Sequence, residues 1–418
     1  MPDRRYRVLV IASHPVQYHG QLFRLTASSA PYDLHVAYCS LGGAEARHDP
    51  EFQATVQWDV PLLDGYKWTH VRNSGSGAET FFGLYNPGLW KLIRSGHFDA
   101  VISFVSYVRA TFWIACLAAK SCGAAFLFGC DQGSLAPRDG KRWKAWVKRL
   151  AWPVLYRLAD QVLVSSTRAW QLIRSLGIKE ERITMSLLVV DNAWWKAQAE
   201  KADRSSVRAS WGVTENDVVF LFCAKLQSWK RPFDLLRAFA RLDQPNRFLV
   251  FAGEGPLRAG LEAEIARLGL SSRVRFLGFL NQSQLPAVYK SSDLLILPSE
   301  YEPFAVVVNE ALCCGCPAAV SDQVGAGPDL VARVNPDFIF PAGDVEALAH
   351  LMSNAVADPS CLREFARRGL QRMDSWSPEQ SVMLTSEAID VAVSRKRRHS
   401  QANSPGAASK SSVSGSHQ

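Results

Sequence analysis

The chain has 418 residues, 48% apolar and 21% charged, which is room for two ordinary domains and too apolar for a mostly disordered protein. Its net charge of +8 and pI near 9.0 suit an anionic ligand, an anionic membrane surface or nucleic acid, without choosing among them. Its nine cysteines are scattered except for Cys313, Cys314 and Cys316, which crowd one helix end with no second cluster to complete a metal site, so neither a disulfide framework nor a zinc site is indicated; small apolar packing in a reducing compartment is the plainer reading.

The opening run "YRVLVIAS" reads as a strand rather than a signal peptide, because its apolar core Val8–Ala12 is short and His14-Pro15 ends it. "LHVAYC", "DAVISFV", "AAFLFGC" and "QVLVSS" repeat the pattern through the first half. "ATFWIACLAAK" stops at Lys120, and no stretch reaches the length of a membrane span, so the protein is expected to be made and kept in the cytoplasm. From 141 to 158, "KRWKAWVKRLAWPVLYRL" sets Trp143, Trp146, Val147, Leu150, Val154, Leu155 and Leu158 on one helical face, with Lys141, Arg142, Lys144, Lys148 and Arg149 mostly off it. Such a helix can lie in a membrane interface, or it can pack on its own sheet with a basic outer side.

The second half continues with "DVVFLFCAKL", "RFLVFAGEG", "VRFLGFL", "LLILPS" and "PAAVSD" between helical stretches. Continuous apolar strands alternating with helices mean parallel sheets covered on both faces. The expected fold is therefore α/β: two doubly wound, Rossmann-like domains facing a central cleft, with ligands beyond the strand C-termini. The expected divisions are 1–195, 205–375, a C-terminal helix over 376–394 that can pack back on the first domain, and a basic, disordered tail over 395–418. Lys196–Ser206 is the expected linker. Ser375 or Ser377 caps the last helix, with Pro378 in its first turn. "RKRRH" reads as a solvated tail rather than a lipid or nucleic-acid contact, and no nucleic-acid motif is present.

The stretch "SEYEPFAVVVNEALCCGCP" carries the most chemistry. A strand runs into a loop holding Glu302, and a helix opens near Phe304, Ala305 and Val306 with Glu310 one to two turns in. The helix N-terminus offers N–H groups to an anion. Two carboxylates beside a phosphate must address something else, and hydroxyl groups are their natural partners. A ligand with a phosphate centre and polyol ends fits; a helix-end charge plus a solvated glutamate fits equally well when the stretch is taken alone. Lys225 ends a strand and Lys230 precedes a helix, so both can lean toward a diphosphate or remain surface lysines. Gly253 and Gly255 form a G-x-G turn that lets backbone approach a ligand closely, or simply turns.

These segments, in this order, resemble the group 1 family of retaining glycosyltransferases with the two-Rossmann, GT-B fold. The likeness is close over the second half, through "AKLQSWK", "FAGEGPLR", the Glu302–x7–Glu310 spacing and "FPAGDVEAL", and looser over the first, through "SHPVQYHGQLFR" and "LYRLADQVLVSS". The resemblance implies that Lys225 and Lys230 hold a donor diphosphate, Glu310 binds the nucleoside ribose, Glu302 contacts the transferred sugar, and the backbone after Phe304 cradles the phosphates. It implies no cofactor and no metal ion, with the lysines supplying positive charge. Arginine is usual where Lys225 stands, and glycine is common where Ala305 stands. Many relatives place a histidine after the strand that here reads "AAFLFGCDQG"; Cys130 takes its place, leaving Asp131, or His14 and His19 in the first βα loop, to face the acceptor. The implied partners are a nucleotide-diphosphate sugar and a glycan or lipid-linked acceptor, in cell-surface polysaccharide synthesis. Beside this stand a different enzyme on the same fold, such as an epimerase or phosphorylase, and a non-catalytic sugar-nucleotide or anion-binding relative. A paired-carboxylate glycosidase is disfavoured because one glutamate is assigned to ribose.

Overall fold

A computed structural model describes residues 5–45, 47–49, 54–136 and 141–402. The first half contributes β1 (Tyr6–Ala12), β2 (Tyr32–Tyr38), β3 (Arg47–Asp49), β4 (Ala54–Val56), β5 (Lys67–His70), β6 (Ala100–Ser103), β7 (Ala125–Cys130), β8 (Gln161–Val164) and β9 (Ile183–Met185). The second contributes β10 (Val218–Cys223), β11 (Arg247–Ala252), β12 (Val274–Gly278), β13 (Leu294–Leu297), β14 (Ala318–Ser321) and β15 (Ile339–Phe340). One seven-stranded sheet runs β5-β2-β1-β6-β7-β8-β9 and a six-stranded sheet runs β12-β11-β10-β13-β14-β15. Every pair within these two sheets is parallel, and β3 and β4 pair separately and antiparallel. The expected pair of doubly wound domains is what forms.

The strands are as apolar as they are because both faces are covered. "VVFLFC" in β10 is buried at every position. In the first domain, helices Gly88–Ser95, Ala110–Ser121 and Arg142–Arg157 cover one face through Leu89, Ile93, Phe112, Trp152 and Tyr156. Helix Gln17–Ser29 and the C-terminal helix Pro378–Ala402 cover the other, through Phe23, Val382 and Ile389. Each sheet reverses its strand order once, between β1 and β6 and between β10 and β13. Loops diverge at such a point and leave a crevice beyond the strand C-termini.

Two expectations about boundaries are corrected. Lys196–Ser206 is not a linker: it forms parts of helices Asn192–Lys201 and Arg204–Trp211. Trp195 is 0% exposed inside the second core, and Leu187, Val189 and Val190 join it there, so the chain enters the second domain by Leu187. The basic segment after 394 is not a disordered tail from its start. The last helix continues to Ala402 because its cations find partners on the first domain. Arg395 donates to the Asp160 carbonyl at 2.7 Å, Lys396 pairs with Asp160 at 3.9 Å, and Arg397 pairs with Asp99 at 3.2 Å. Residues 403–418, the rest of the expected tail, lie outside the described residues. Ser377 caps this helix, its Oγ accepting from the Gln380 N–H at 3.3 Å.

The chain crosses between domains twice, and the crossings are bonded side by side. Trp376 Nε1 donates to the Leu188 carbonyl at 2.8 Å, Ser381 Oγ to the Leu187 carbonyl at 2.9 Å, and Asn192 Nδ2 to the Met373 carbonyl at 2.8 Å. Closer to the cleft, Asp329 of the second domain accepts from the backbone N–H of Thr167 at 2.9 Å.

Candidate active site

The second domain's residues gather at its switch point. Lys225 and Lys230 follow β10; Glu302 and Glu310 follow β13. Lys230 and Glu302 form a close ion pair, with side chains only 18% and 16% exposed. The backbone of Glu302 is pinned as well, its carbonyl accepting from the Gly325 N–H at 2.9 Å.

Phe304 is buried and stacked on Trp376, ring centroids 5.9 Å apart, which fixes the turn into helix Val306–Cys313. Ala305 caps that helix with φ +85° and ψ +75°, a left-handed conformation in which a side chain costs roughly 1–2 kcal/mol. The turn aims the first N–H groups of the helix, from Val306 onward, along the helix axis. Glu310 lies one turn deeper and is 4% exposed. Tyr289 donates to its carboxylate at 2.8 Å, and Gln282 also bonds it. Burial outweighs these bonds and raises the Glu310 carboxyl from 4.5 to about 7.

The G-x-G turn packs against the Lys225 segment. Gly253 (φ +148°) and Gly255 (φ +153°) lie so close to it that a Cβ would meet the Ala224 carbonyl oxygen at 2.0 Å and the Leu226 oxygen at 2.7 Å. Leu226 in turn donates its N–H to the Glu254 carbonyl at 2.9 Å. The glycines therefore set the path of the backbone around Lys225.

Facing this is a cavity of about 410 Å³ at the first domain's switch point. His14, Tyr18 and His19 line it from the β1 side, Tyr107 from the loop after β6, Asp131 from the end of β7, and Trp152 and Tyr156 from helix Arg142–Arg157. Asp131 stays open to the cleft. Its carboxyl is raised above the usual range, by the surrounding protein first and by the charge of Glu302 as well. The charge of Glu302, on the second domain, thus reaches Asp131 on the first. His19 is stacked on Phe104 with ring centroids 5.2 Å apart, and burial, with His14 nearby, lowers it to about 4. It is a neutral wall of the cavity near pH 7. His14 Nδ1 lies 3.0 Å from Ser13 Oγ. Cys130 is buried, its Sγ 3.8 Å from the Gln132 carbonyl, and burial pushes the thiol up to about 11. It lines the cavity without imidazole's capacity to bond a hydroxyl.

Sequence reasoning missed Tyr289, Gln282, Tyr107, Trp152 and Tyr156. Trp152 and Tyr156 lay within a helix whose apolar residues were assigned to another face. Tyr289 sits in "LPAVYKSS", where nothing marks a tyrosine aimed at a glutamate on the next helix. Among the described residues no group of three His, Cys, Asp or Glu side chains is arranged to hold a metal ion.

Two lysines, a helix N-terminus and a buried carboxylate thus lie at one switch point, with a cavity lined by Tyr18, Tyr107, Trp152 and Tyr156 at the other. Residues 203–372 match the model described as glycosyl transferases group 1, and residues 2–186 match the glycosyl transferase 4-like domain. The chain belongs to the group 1 glycosyltransferase family of enzymes, in the GT-B architecture. A D-inositol 3-phosphate glycosyltransferase of Rhodococcus erythropolis is 26% identical over 412 residues, 90% of this chain and 89% of that one. An uncharacterized glycosyltransferase of Methanocaldococcus jannaschii is 36% identical over 140 residues, 33% of this chain and only 36% of its own. The fold is that of the Anabaena HepE structure in complex with UDP and glucose, with a TM-score of 0.68, 18% identity, and coverage of 92% of this chain and 100% of that one.

Proposed function

We propose that the protein moves a sugar from a nucleotide-diphosphate donor to a glycan or lipid-linked acceptor, retaining anomeric configuration and needing no metal ion, in cell-surface polysaccharide synthesis at the cytoplasmic face of a membrane. The observation that carries this is the Lys230–Glu302 pair at one switch point, facing Asp131 across the cleft. A donor diphosphate takes Lys230 from Glu302, and the freed carboxylate then accepts from hydroxyls of the transferred sugar. Lys225 and the N–H groups from Val306 onward share the phosphate charge, so cationic neutralisation comes from protein groups. Glu310 accepts from the ribose hydroxyls. The acceptor lies in the first domain's cavity, with Asp131 and His14 accepting from its hydroxyls. Its oxygen attacks the anomeric carbon from the face the diphosphate leaves. The bond to the diphosphate oxygen breaks, and that oxygen takes the acceptor's proton. Catalysis is then positioning and charge stabilisation, without a protein nucleophile. The HepE structures with UDP and with UDP-glucose support a nucleotide-sugar donor by likeness of fold. The helix within 141–158 supplies peripheral membrane contact.

A non-catalytic sugar-nucleotide binder is the second reading, favoured by the buried Cys130 thiol where many family members carry histidine. Turnover of a nucleotide sugar in chelator, with the product's anomeric configuration read by NMR, separates the two. Retained configuration supports the mechanism; inversion or a strict need for a divalent cation overturns it. Donor binding without turnover across a broad acceptor panel favours the second reading.

A further inference from the structure

The helix Arg142–Arg157 is divided in a way its sequence concealed. Trp152, Leu155 and Tyr156 are buried against the sheet, while Trp143 and Trp146 are 61% and 65% exposed, with Leu150 and Val154 exposed beside them. The exposed apolar surface does not stop there. The loop before helix Gly88–Ser95 presents Phe81 and Phe82, the latter 65% exposed, and Val108 is exposed in the turn before helix Ala110–Ser121. That loop is firmly built. Arg109 donates to the Ala78 and Thr80 carbonyls at 2.8 and 2.7 Å, and Thr111 Oγ1 donates to the Leu84 carbonyl at 2.9 Å.

These residues lie on one side of the molecule. Leu84 and the helices Gly88–Ser95, Ala110–Ser121 and Arg142–Arg157 pack into a single core cluster on the same face of the first sheet. The second domain, by contrast, exposes none of its large apolar side chains among the described residues. Charge is equally one-sided. The three helices contain no aspartate or glutamate, and Arg142–Arg157 alone holds five lysines and arginines. The cations lie along the aromatic rings, as Lys144 does over Trp143 at 5.9 Å and Arg94 over Trp90 at 5.8 Å. Tryptophan and phenylalanine beside snorkelling cations, on helices without a carboxylate and with the exposed Glu79 of the Phe81–Phe82 loop paired to Arg109, match an anionic bilayer surface. No helix among the described residues is long and apolar enough to cross a membrane, so contact would be peripheral.

We propose that the Phe81–Phe82 loop and the outer faces of helices Gly88–Ser95, Ala110–Ser121 and Arg142–Arg157 form one continuous footprint that seats the first domain on an anionic lipid bilayer. This rests on the lipid-side reading of the helix at 141–158 and extends it to a second, aromatic anchor. The same helix that meets lipid with Trp143 and Trp146 lines the cavity with Trp152 and Tyr156. A lipid-linked acceptor held in that bilayer therefore has its sugar end beside Asp131 without leaving the interface.

The test is co-sedimentation of the full chain with phosphatidylglycerol-containing and pure phosphatidylcholine vesicles. Trp143→Ser/Trp146→Ser and Phe81→Ser/Phe82→Ser are compared with wild type, each checked for an unchanged melting temperature. Wild type is expected on the anionic vesicles only, with binding weakened by salt, and each double variant is expected to lose at least about tenfold in affinity. No binding of wild type overturns the proposal. Full binding of the Phe81/Phe82 variant removes the loop from the footprint and overturns its continuity. A dimer in solution that dissociates on Trp143→Ser/Trp146→Ser assigns the face to a second copy and also overturns it. Melting shifts by nucleotide sugars, measured without vesicles, report on the transferase reading separately. Vesicle binding without any donor shift leaves the footprint standing and fells the transfer reading.

Discussion

Replacing Glu310 by glutamine gives opposite effects on stability and on function. The carboxyl is buried beside Tyr289 and raised from 4.5 to about 7. The folded chain thus keeps a proton that the unfolded chain has lost. Stability from this group is complete below pH 4.5, declines as pH rises, and is fully lost above about 7. At ~1.4 kcal/mol per unit, the wild type gives up about 3 kcal/mol across that window, and the uncharged glutamine does not. The variant's stability relative to wild type should therefore rise by about 3 kcal/mol from pH 4 to pH 8, roughly 6–12 °C in melting temperature for a domain of this size. Donor binding should move the other way. Hydrogen bonds from ribose to a charged acceptor contribute ~1.5–3 kcal/mol, so affinity for the nucleotide sugar should fall roughly 10- to 150-fold. The assays are melting curves at stepped pH and titration calorimetry with the donor. Parallel pH curves for the two proteins, or unchanged donor affinity, would refute the reasoning.

Lys230→Ala should lower kcat/KM by about 100-fold or more, since it removes a charge-assisted contact to the diphosphate and leaves Glu302 half-buried and unpaired; steady-state kinetics check this, and a loss under threefold contradicts the assigned role. Ala305→Gly should raise stability by about 1 kcal/mol by relieving a left-handed alanine, with a lower melting temperature as the contrary result. Trp195→Ala should cost about 3–5 kcal/mol, as a buried core residue does, whereas a linker tryptophan would cost almost nothing in urea unfolding.

The central strands and the two-sheet plan were legible because those strands are buried on both faces and so read as unbroken apolar runs, whereas the edge strand β5, Lys67–His70, is largely exposed and carries no such run. The domain boundary was not, because "NAWWKAQAEK" is polar on average and only its spacing hides the buried Trp195. Nor was the length of the last helix. Arg395, Lys396 and Arg397 look like a solvated basic tail until Asp160 and Asp99, far off in sequence, are brought beneath them. The site was half legible. Lys230, Glu302 and Glu310 announced themselves by type and spacing, but that Lys230 would pair with Glu302 depends on two strand ends meeting at one switch point. The cavity walls at Tyr107, Trp152 and Tyr156 come from separate elements, and no local pattern joins them.

The most direct test of nucleotide-sugar binding is thermal stabilisation by a panel of nucleotides and nucleotide sugars, with and without chelator, on wild type and Lys230→Ala. A selective rise in melting temperature with one diphosphate sugar, unchanged by chelator and lost in the variant, is the predicted result and names the donor. A rise that requires a divalent cation, or that survives intact in Lys230→Ala, would contradict the account.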